Sequence, residues 1–161
     1  MTEEPRLTHL TAAGTAHMVD VSGKDVTART ARASGRVQVS PAVVTLLRDG
    51  QLPKGDALAV ARVAGIQAAK RTPDLVPLCH PVALHAVRVD LEVVDDAVLI
   101  DVEVTTADRT GVEMEALTAV CGAALSVVDM VKAVDRWAVI TDVQVEHKSG
   151  GRSGTWTRGE R

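Results

Sequence analysis

Large aromatic side chains are almost absent from this sequence. Its 161 residues include no phenylalanine and no tyrosine, and Trp137 and Trp156 are its two tryptophans. Proteins that bind RNA or single-stranded DNA usually stack bases on such rings, and a net charge of −3 is not that of a general nucleic-acid binder. We therefore expect no nucleic-acid partner. The core must consist of valine, alanine, leucine and isoleucine, whose small size favours further burial against other subunits.

Cysteine is also scarce. Cys79 and Cys121 have no paired spacing, and the chain shows no signal peptide, so we expect a reduced, cytoplasmic protein. His80 follows Cys79, but the sequence has no CxxC motif and His80 lacks partners at suitable spacing, so we expect no metal site. We also find no run that is long and apolar enough to span a membrane, and expect no membrane association.

The pattern of polar and apolar residues predicts one domain. We expect a flexible N-terminal segment over residues 1–16, a single ferredoxin-like domain over 17–148 and a glycine-rich tail over 149–161. The predicted elements are a strand at 35–39, helices at 41–49 and 54–71, strands at 87–93 and 98–104, a helix at 110–134 and a strand at 139–145. The basic stretch 29–36 has no clear assignment. This order is typical of an α+β ferredoxin-like sandwich, in which helices pack on an antiparallel sheet, with one extra short helix.

The predicted helix at 110–134 places three charged residues on one mostly apolar stripe. Glu115, Asp129 and Lys132 share this stripe because their spacing follows the helical period. Charges on an apolar face are costly to bury unless they are paired or used. Glu115 and Asp129 are 14 residues apart, which is roughly 21 Å along a helix axis. Either only one end of the helix is catalytic, or a symmetric partner brings the opposite end of its own helix alongside. We favour the partner.

Ordinary structural roles compete with functional ones in this helix. Thr110-x-x-Glu113 matches a capping box, which would give Glu113 a structural role. Asp129 and Lys132 could form a plain surface ion pair. A carboxylate whose charged form is favoured by a neighbouring lysine could equally serve as a positioned base.

Basic residues elsewhere suit an anionic ligand. Lys54 precedes a predicted helix whose first turn offers free N–H groups, and His80 lies in a proline-flanked loop where an imidazole could bind phosphate or transfer protons. The segment 148–154 could wrap phosphates through backbone N–H groups, although it lacks the Walker A order and is otherwise typical of a flexible linker. Together these groups indicate acid–base chemistry on a polyanionic small molecule.

Seven stretches of the chain carry a specific family resemblance. They occur in the expected order between about residues 7 and 155, at positions 18–22, 54–56, 61–72, 75–81, 110–118, 129–132 and 148–154. On these motifs the chain resembles the family of C proteins of molybdenum cofactor biosynthesis, which are cyclic pyranopterin monophosphate synthases. The resemblance implies that 3′,8-cyclo-7,8-dihydro-GTP is converted to cyclic pyranopterin monophosphate with release of pyrophosphate. It also implies that the 17–148 domain is catalytic and assembles as a homohexamer, a trimer of dimers, with sites at subunit interfaces.

The resemblance further implies a set of site residues. Asp129 matches the family's catalytic aspartate, and Lys54 and Lys132 match site positions of the family. We expect these three residues to be catalytic, with Asp129 as the candidate base and Lys132 as the candidate acid or phosphate partner. The matching substrate-binding positions are Asp20, Leu78, Cys79, His80, Glu113, Met114, Glu115 and Lys148. No protein-bound cofactor is expected, although magnesium could accompany the triphosphate. Two rival interpretations are a catalytically weak, nucleotide-binding paralogue and a different phosphate-handling enzyme. The second would usually need clustered carboxylates or a Walker loop.

Overall fold

A five-stranded antiparallel sheet with helices packed against it forms the fold. The computed structural model describes residues 10, 11 and 13–159. The strands lie in the order β2-β3-β1-β4-β5. The elements along the chain are β1 (Thr27–Gln38), α1 (Pro41–Arg48), α2 (Ala57–Ala69), α3 (Thr72–Leu75), β2 (Leu84–Val93), β3 (Ala97–Asp108), α4 (Glu113–Val131), β4 (Val139–Ser149) and β5 (Trp156–Thr157). The predicted α+β ferredoxin-like sandwich is confirmed.

The centre of the sheet is the pair β1 and β3. Twelve residues of each strand are paired, from Thr27 opposite Asp108 to Gln38 opposite Ala97. The strands predicted at 87–93 and 98–104 are confirmed as the antiparallel pair β2 and β3, and the valines and isoleucine at alternate positions of β3 are buried. The unassigned basic stretch 29–36 lies inside β1, whose buried positions are mostly alanine and glycine. A Cβ at Gly35 would overlap Val120, so α4 approaches the sheet closely there.

Helix α4 packs against β1, β3 and β4 and also against α2, which in turn contacts β2. A Cβ at Gly122 would overlap Ala68, and a Cβ at Gly65 would lie 3.0 Å from the carbonyl oxygen of Ala119, so small residues let the two helices approach closely. By length and composition α4 could cross a membrane. The expectation that no segment is long and apolar enough to do so was therefore wrong. More than half of its apolar window is buried, as in the core helix of a soluble protein, which passes the same test.

The helix starts decide where two site residues lie. Helix α2 begins after Asp56, whose Oδ1 accepts a hydrogen bond from the Ala59 amide at 3.0 Å, and Lys54 lies just ahead of it. The capping box predicted for α4 was wrong. Among the described residues no side chain caps this helix, and Val112 occupies the N-cap position. A Cβ at Gly111 would overlap the Glu113 carboxylate, so the Glu113 side chain folds back over the preceding loop.

Parts of α2 and α4 remain apolar and exposed. Val60 and Val63 of α2 are 48% and 59% exposed, and Leu125 of α4 is 63% exposed. Helix α2 carries apolar residues on nearly every face, a pattern that favours burial on several sides, in the core or in an interface. Within one chain its buried positions are alanine and glycine, on the side that faces α4. Burial of the remaining faces against another subunit stays a prediction.

Both terminal regions contain short paired segments. Strand β4 extends beyond its predicted end to include Lys148, and β5 was not predicted. Its two residues pair with His147 and Lys148, so part of the glycine-rich tail is ordered against the sheet. The predicted flexible N-terminal segment falls mainly on residues 1–9 and 12, which lie outside the described residues. Leu10 and Ala16 form an isolated antiparallel bridge.

Candidate active site

A cavity of about 400 Å³ lies at the N-terminal end of α4. We call it the Glu115 cavity. The loop before β2 meets the first turn of α4 there, and the segment before β1 closes one side. Its lining residues are Val19, Val21, Lys24, Leu78, Cys79, His80, Val82, Thr110, Gly111, Glu113, Met114 and Glu115. Six of the predicted substrate-binding residues are therefore brought together in one chain.

Glu115 has an unusual environment in this cavity. Glu115 is only 3% exposed to solvent. Burial disfavours the charged form and raises the pKa of the Glu115 carboxyl to about 7, and the nearby charge of Glu113 acts in the same direction. Glu115 therefore exchanges a proton near neutral pH and, when protonated, can donate a hydrogen bond.

His80 and Cys79 line the Glu115 cavity from the loop before β2. The Nε2 of His80 lies 2.7 Å from the carbonyl oxygen of Val19. Because a carbonyl oxygen only accepts, Nε2 carries the hydrogen of this bond. Burial raises the pKa of the Cys79 thiol, with a further contribution from the charge of Glu115. Cys79 therefore stays a neutral thiol and not a nucleophilic thiolate at neutral pH.

Asp20 lies at the edge of the cavity, between Val19 and Val21. Its Oδ1 accepts a hydrogen bond from the Ser22 amide at 2.8 Å. This bond is the main reason that the pKa of Asp20 is lowered, and the charge of His80 contributes in the same direction. The side chain is thus an ionised, oriented carboxylate beside His80.

A second cluster forms at the other end of α4. The Nζ of Lys132 donates to Oδ1 of Asp129 at 2.5 Å, and the Nζ of Lys54 donates to Oδ2 at 3.1 Å. Lys54 also donates to the Asp129 carbonyl oxygen at 2.9 Å. The pKa of Asp129 is lowered, chiefly by the hydrogen bond from Lys132 and then by that from Lys54. The three predicted catalytic residues therefore meet, as the Asp129 cluster.

The two sites are separate within one chain. Glu115 and Asp129 lie 14 residues apart in one continuous helix, which corresponds to roughly 21 Å along its axis. None of the three residues of the Asp129 cluster lines the Glu115 cavity. The Asp129, Lys54 and Lys132 side chains are each at least 40% exposed. A small molecule in the cavity of one chain therefore cannot reach the Asp129 cluster of the same chain.

A basic cavity of about 610 Å³ adjoins the Glu115 cavity. Its charged lining consists of Lys24, Arg29 and Arg152 with a single acid, Asp25. Lys24 lines both cavities, so the two are neighbours. Lys148 lies beside the basic cavity and not in its lining, and its Nζ donates to the hydroxyl of Ser153, which does line it. This arrangement suits an anion next to a ligand in the Glu115 cavity.

The sequence interpretation missed several of these residues. Lys24, Arg29 and Arg152 were not chosen, because isolated basic residues in loops and in an unassigned stretch carry no periodic signal. The position of Lys24 two residues after the 18–22 motif was the one available hint. Among the described residues, no three His, Cys, Asp or Glu side chains are grouped to hold a metal ion.

The fold and the two sites define a class of protein. It is an α+β protein with titratable groups at both ends of one helix and a basic cavity beside one of these ends. Comparison with known proteins identifies the family within this class. The model of the MoaC family matches residues 18–151, and the chain belongs to the MoaC family.

Curated relatives are similar over nearly the whole chain. Cyclic pyranopterin monophosphate synthase from Streptomyces coelicolor is 71% identical over 155 residues, which are 96% of this chain and 91% of that protein. The protein of the same name from a Nocardioides species is 67% identical and covers 98% of this chain and 99% of its own length. Cyclic pyranopterin monophosphate synthase 2 from Mycobacterium tuberculosis is 59% identical over 94% of this chain and 91% of its own length.

Proposed function

We propose that this protein is a cyclic pyranopterin monophosphate synthase, a lyase of molybdenum cofactor biosynthesis. It converts 3′,8-cyclo-7,8-dihydro-GTP to cyclic pyranopterin monophosphate and releases pyrophosphate. Membership of the MoaC family and the names of relatives at 59–71% identity support this activity. The structural observation that carries it is the Asp129 carboxylate held between two lysine ammonium groups.

The Asp129 cluster suits proton transfer. Rearranging a purine ring into a pterin and closing a cyclic phosphate both need groups that take up and return protons. Asp129 is ionised and oriented by both lysines, so it is the base of the proposal. Lys132 acts as acid or phosphate partner, and Lys54 keeps the carboxylate in place through its bonds to the Asp129 side chain and carbonyl oxygen.

The Glu115 cavity suits the ring system of the substrate. It offers the carboxyls of Glu113 and Glu115, the His80 ring and aliphatic walls, and no described aromatic side chain for stacking. Recognition therefore depends on hydrogen bonds to the ring edges. Because the pKa of Glu115 is about 7, this carboxyl can donate or accept near neutral pH. A ring that presents both donors and acceptors along one edge would be matched by such a group.

The basic cavity suits the phosphates. Lys24 connects it to the Glu115 cavity, and Arg29 and Arg152 supply planar, permanently charged groups for phosphate oxygens. Lys148 adds a further cation at its rim. We propose no protein-bound cofactor. Magnesium, if required, would travel with the triphosphate as part of the substrate.

The proposed assembly is a cytoplasmic homohexamer, a trimer of dimers, with each site formed by two subunits. The separation of roughly 21 Å between Glu115 and Asp129 supports this arrangement, since a two-fold partner would bring its Asp129 cluster to the Glu115 cavity. The exposed Val60, Val63 and Leu125 offer apolar surface that a partner would cover.

A direct assay tests the activity. Purified protein is incubated with 3′,8-cyclo-7,8-dihydro-GTP while pyrophosphate release and the fluorescent oxidised pterin are followed. We expect product from the wild type and a loss of kcat of about 10³-fold in Asp129→Asn, with substrate affinity retained, because a base contributes about 10²–10⁴-fold. Asp95→Asn is a matched control, since Asp95 pairs with Arg48 in an exposed turn. A folded wild type that binds the substrate without forming product would instead be a binding paralogue.

A further inference from the structure

Three residues near the C-terminus are attached to β4. We call Trp156, Thr157 and Arg158 the C-terminal strap. Strand β5 pairs with only two residues of β4, and the Arg158 amide adds a bond to the Glu146 carbonyl oxygen at 2.8 Å. The hydroxyl of Thr157 lies 2.9 Å from Nδ1 of His147. Such a short strand is marginal by itself, so its position depends on side chains.

Arg158 supplies most of that attachment. Its Nε donates to the Val145 carbonyl oxygen at 2.7 Å and lies 3.7 Å from the Glu146 carboxylate. Its guanidinium group lies 5.6 Å from the centre of the Trp156 ring, a cation–π distance. The Arg158 and Glu146 side chains are about 30% exposed, at 32% and 29%, so water screens their attraction less than it would at the open surface.

Glu146 is itself fixed to the sheet. It accepts hydrogen bonds from the Ser34 hydroxyl at 2.5 Å and from Nε2 of Gln144 at 2.8 Å. The pKa of Glu146 is lowered, first by the Ser34 bond, with smaller contributions from Gln144 and from the charges of Arg158 and Arg32. An ionised carboxylate anchored on the central strand β1 is therefore the attachment point of the strap.

The strap closes the loop that carries the C-terminal basic residues. The loop at 149–155 runs from the last residue of β4 to the start of β5, and its Gly150, Gly151 and Gly154 have φ values of 90°, 69° and 63°. Glycines restrain a chain little, so a tail that is free at one end would lose much entropy on binding a ligand. With both ends attached, Gly151, Arg152 and Ser153 line the basic cavity, and the bond from Lys148 to Ser153 crosses the loop.

We propose that Arg158 is a positioning residue for this loop. By holding the strap on Glu146 and Val145, it keeps residues 149–155 in the conformation in which Arg152 lines the basic cavity and Lys148 stands at its rim. Arg158 itself lines neither the basic cavity nor the Glu115 cavity, so the role proposed for it is indirect. The consequence is preorganisation, which lowers the entropic cost of binding the anionic part of the substrate. This inference rests on the proposed function.

The test compares Arg158→Ala with Arg48→Ala, whose arginine pairs with Asp95 at the exposed surface. In Arg158→Ala we expect the KM for 3′,8-cyclo-7,8-dihydro-GTP to rise about 10-fold while kcat changes less than about 2-fold, because binding and not the chemical step is affected. The Kd for inorganic pyrophosphate should rise by a similar factor. Arg158→Lys keeps the charge but not the guanidinium geometry and should give an intermediate value. Arg48→Ala should match the wild type.

Amide hydrogen exchange separates positioning from general stability. In Arg158→Ala, exchange over residues 149–155 should accelerate more than about 10-fold while α4 and β3 keep their protection, and saturating pyrophosphate should restore protection to the loop. Trp156→Ala removes only the exposed ring and should give the same pattern more weakly. If Arg158→Ala does not fold, Trp156→Ala provides the test of whether the strap positions the loop.

Two results would overturn the inference. One is an unchanged KM and pyrophosphate affinity in a folded Arg158→Ala. The other is a raised KM with unchanged exchange in the loop. A wild type without synthase activity would overturn the proposed function instead. Pyrophosphate affinity and loop exchange would then still decide the role of Arg158.

Discussion

The two ends of α4 place the same chemical group in opposite environments. Near its N-terminus, the Glu115 carboxyl is buried beside another carboxyl and its pKa is raised to about 7. Near its C-terminus, the Asp129 carboxyl is exposed between two ammonium groups and its pKa is lowered. Desolvation dominates at one end, and hydrogen bonds to cations dominate at the other.

This difference indicates a division of labour between the two ends. A carboxyl that exchanges its proton near pH 7 can donate and accept hydrogen bonds to a ring, while one that stays ionised can only accept. The Glu115 cavity is lined by residues of a single chain, whereas the Asp129 cluster is open to solvent. A reaction that excludes water therefore needs a second surface over the Asp129 cluster, which the proposed two-fold partner would supply.

The largest expected effect comes from mixing two inactive variants. Asp129→Asn disables one end of α4, and the double variant Glu113→Gln and Glu115→Gln disables the other. If each site combines opposite ends from two chains, half of a random mixture of dimers contains both variants, and each such dimer holds one intact site. We therefore expect activity to return to about a quarter of the wild-type value, measured as pyrophosphate release from co-expressed, differently tagged chains.

The control for this mixture is each variant alone at the same total concentration. Both should have less than about 1% of the wild-type activity, Asp129→Asn because the base is lost and the double variant because the hydrogen bonds that hold the ring are lost. Activity of the mixture that stays at the level of the single variants would mean that both ends serve sites within their own chain. The comparison between the ends would then remain, but the shared site would be refuted.

The next effect concerns stability and the buried carboxyl. The unfolded chain has a Glu115 pKa near 4.5 and the folded chain one near 7. Between these values the folded state binds more protons, so its stability falls as the pH rises from about 4.5 through 7. Glu115→Gln removes this dependence. Relative to wild type, we expect the variant to gain about 2 kcal/mol on going from pH 5 to pH 8, somewhat less than the full shift implies because water can enter the cavity.

Urea unfolding at both pH values and at fixed protein concentration measures this gain, since assembly makes stability concentration-dependent. Glu103→Gln makes the same chemical change in β3, outside the cavity, and serves as the matched control. A difference between wild type and Glu115→Gln that is the same at pH 5 and pH 8 would show that the Glu115 carboxyl is not desolvated. The contrast between the two ends of α4 would then be lost.

The fold was predictable where buried side chains are large. Strands β2 and β3 alternate valine, leucine or isoleucine with acids and arginine, so their period of two is plain. In β1 the buried positions include Ala31, Ala33 and Gly35, which have too little apolar surface to produce the same signal. Strand β5 has two residues and depends on Arg158, and no periodicity can reveal a contact of that kind.

The candidate site was predictable in its groups but not in its environments. Helical spacing predicted that Glu115 and Asp129 share one helix, and both lie in α4. It could not show that one carboxyl is buried and the other exposed, because the loop at 78–80 that lines the Glu115 cavity with α4 comes from distant sequence. The basic cavity was missed for the same reason. It joins residues near 24–29 to residues near 152, and nothing in the local pattern relates them.

The smallest expected effect distinguishes the two lysines of the Asp129 cluster. Lys132 makes the shorter bond to the Asp129 carboxylate and is the larger cause of its lowered pKa, while Lys54 shares its ammonium group between that carboxylate and the Asp129 carbonyl oxygen. Exposed ion pairs are individually weak. We therefore expect Lys132→Met to raise the pKa of Asp129 slightly more than Lys54→Met does, measured by carboxyl-carbon NMR titration. The titration of Glu115 near pH 7 should stay unchanged in both variants, since neither lysine lines its cavity. A larger effect of Lys54→Met would mean that the backbone bond, and not the shorter side-chain bond, decides how the carboxylate is held.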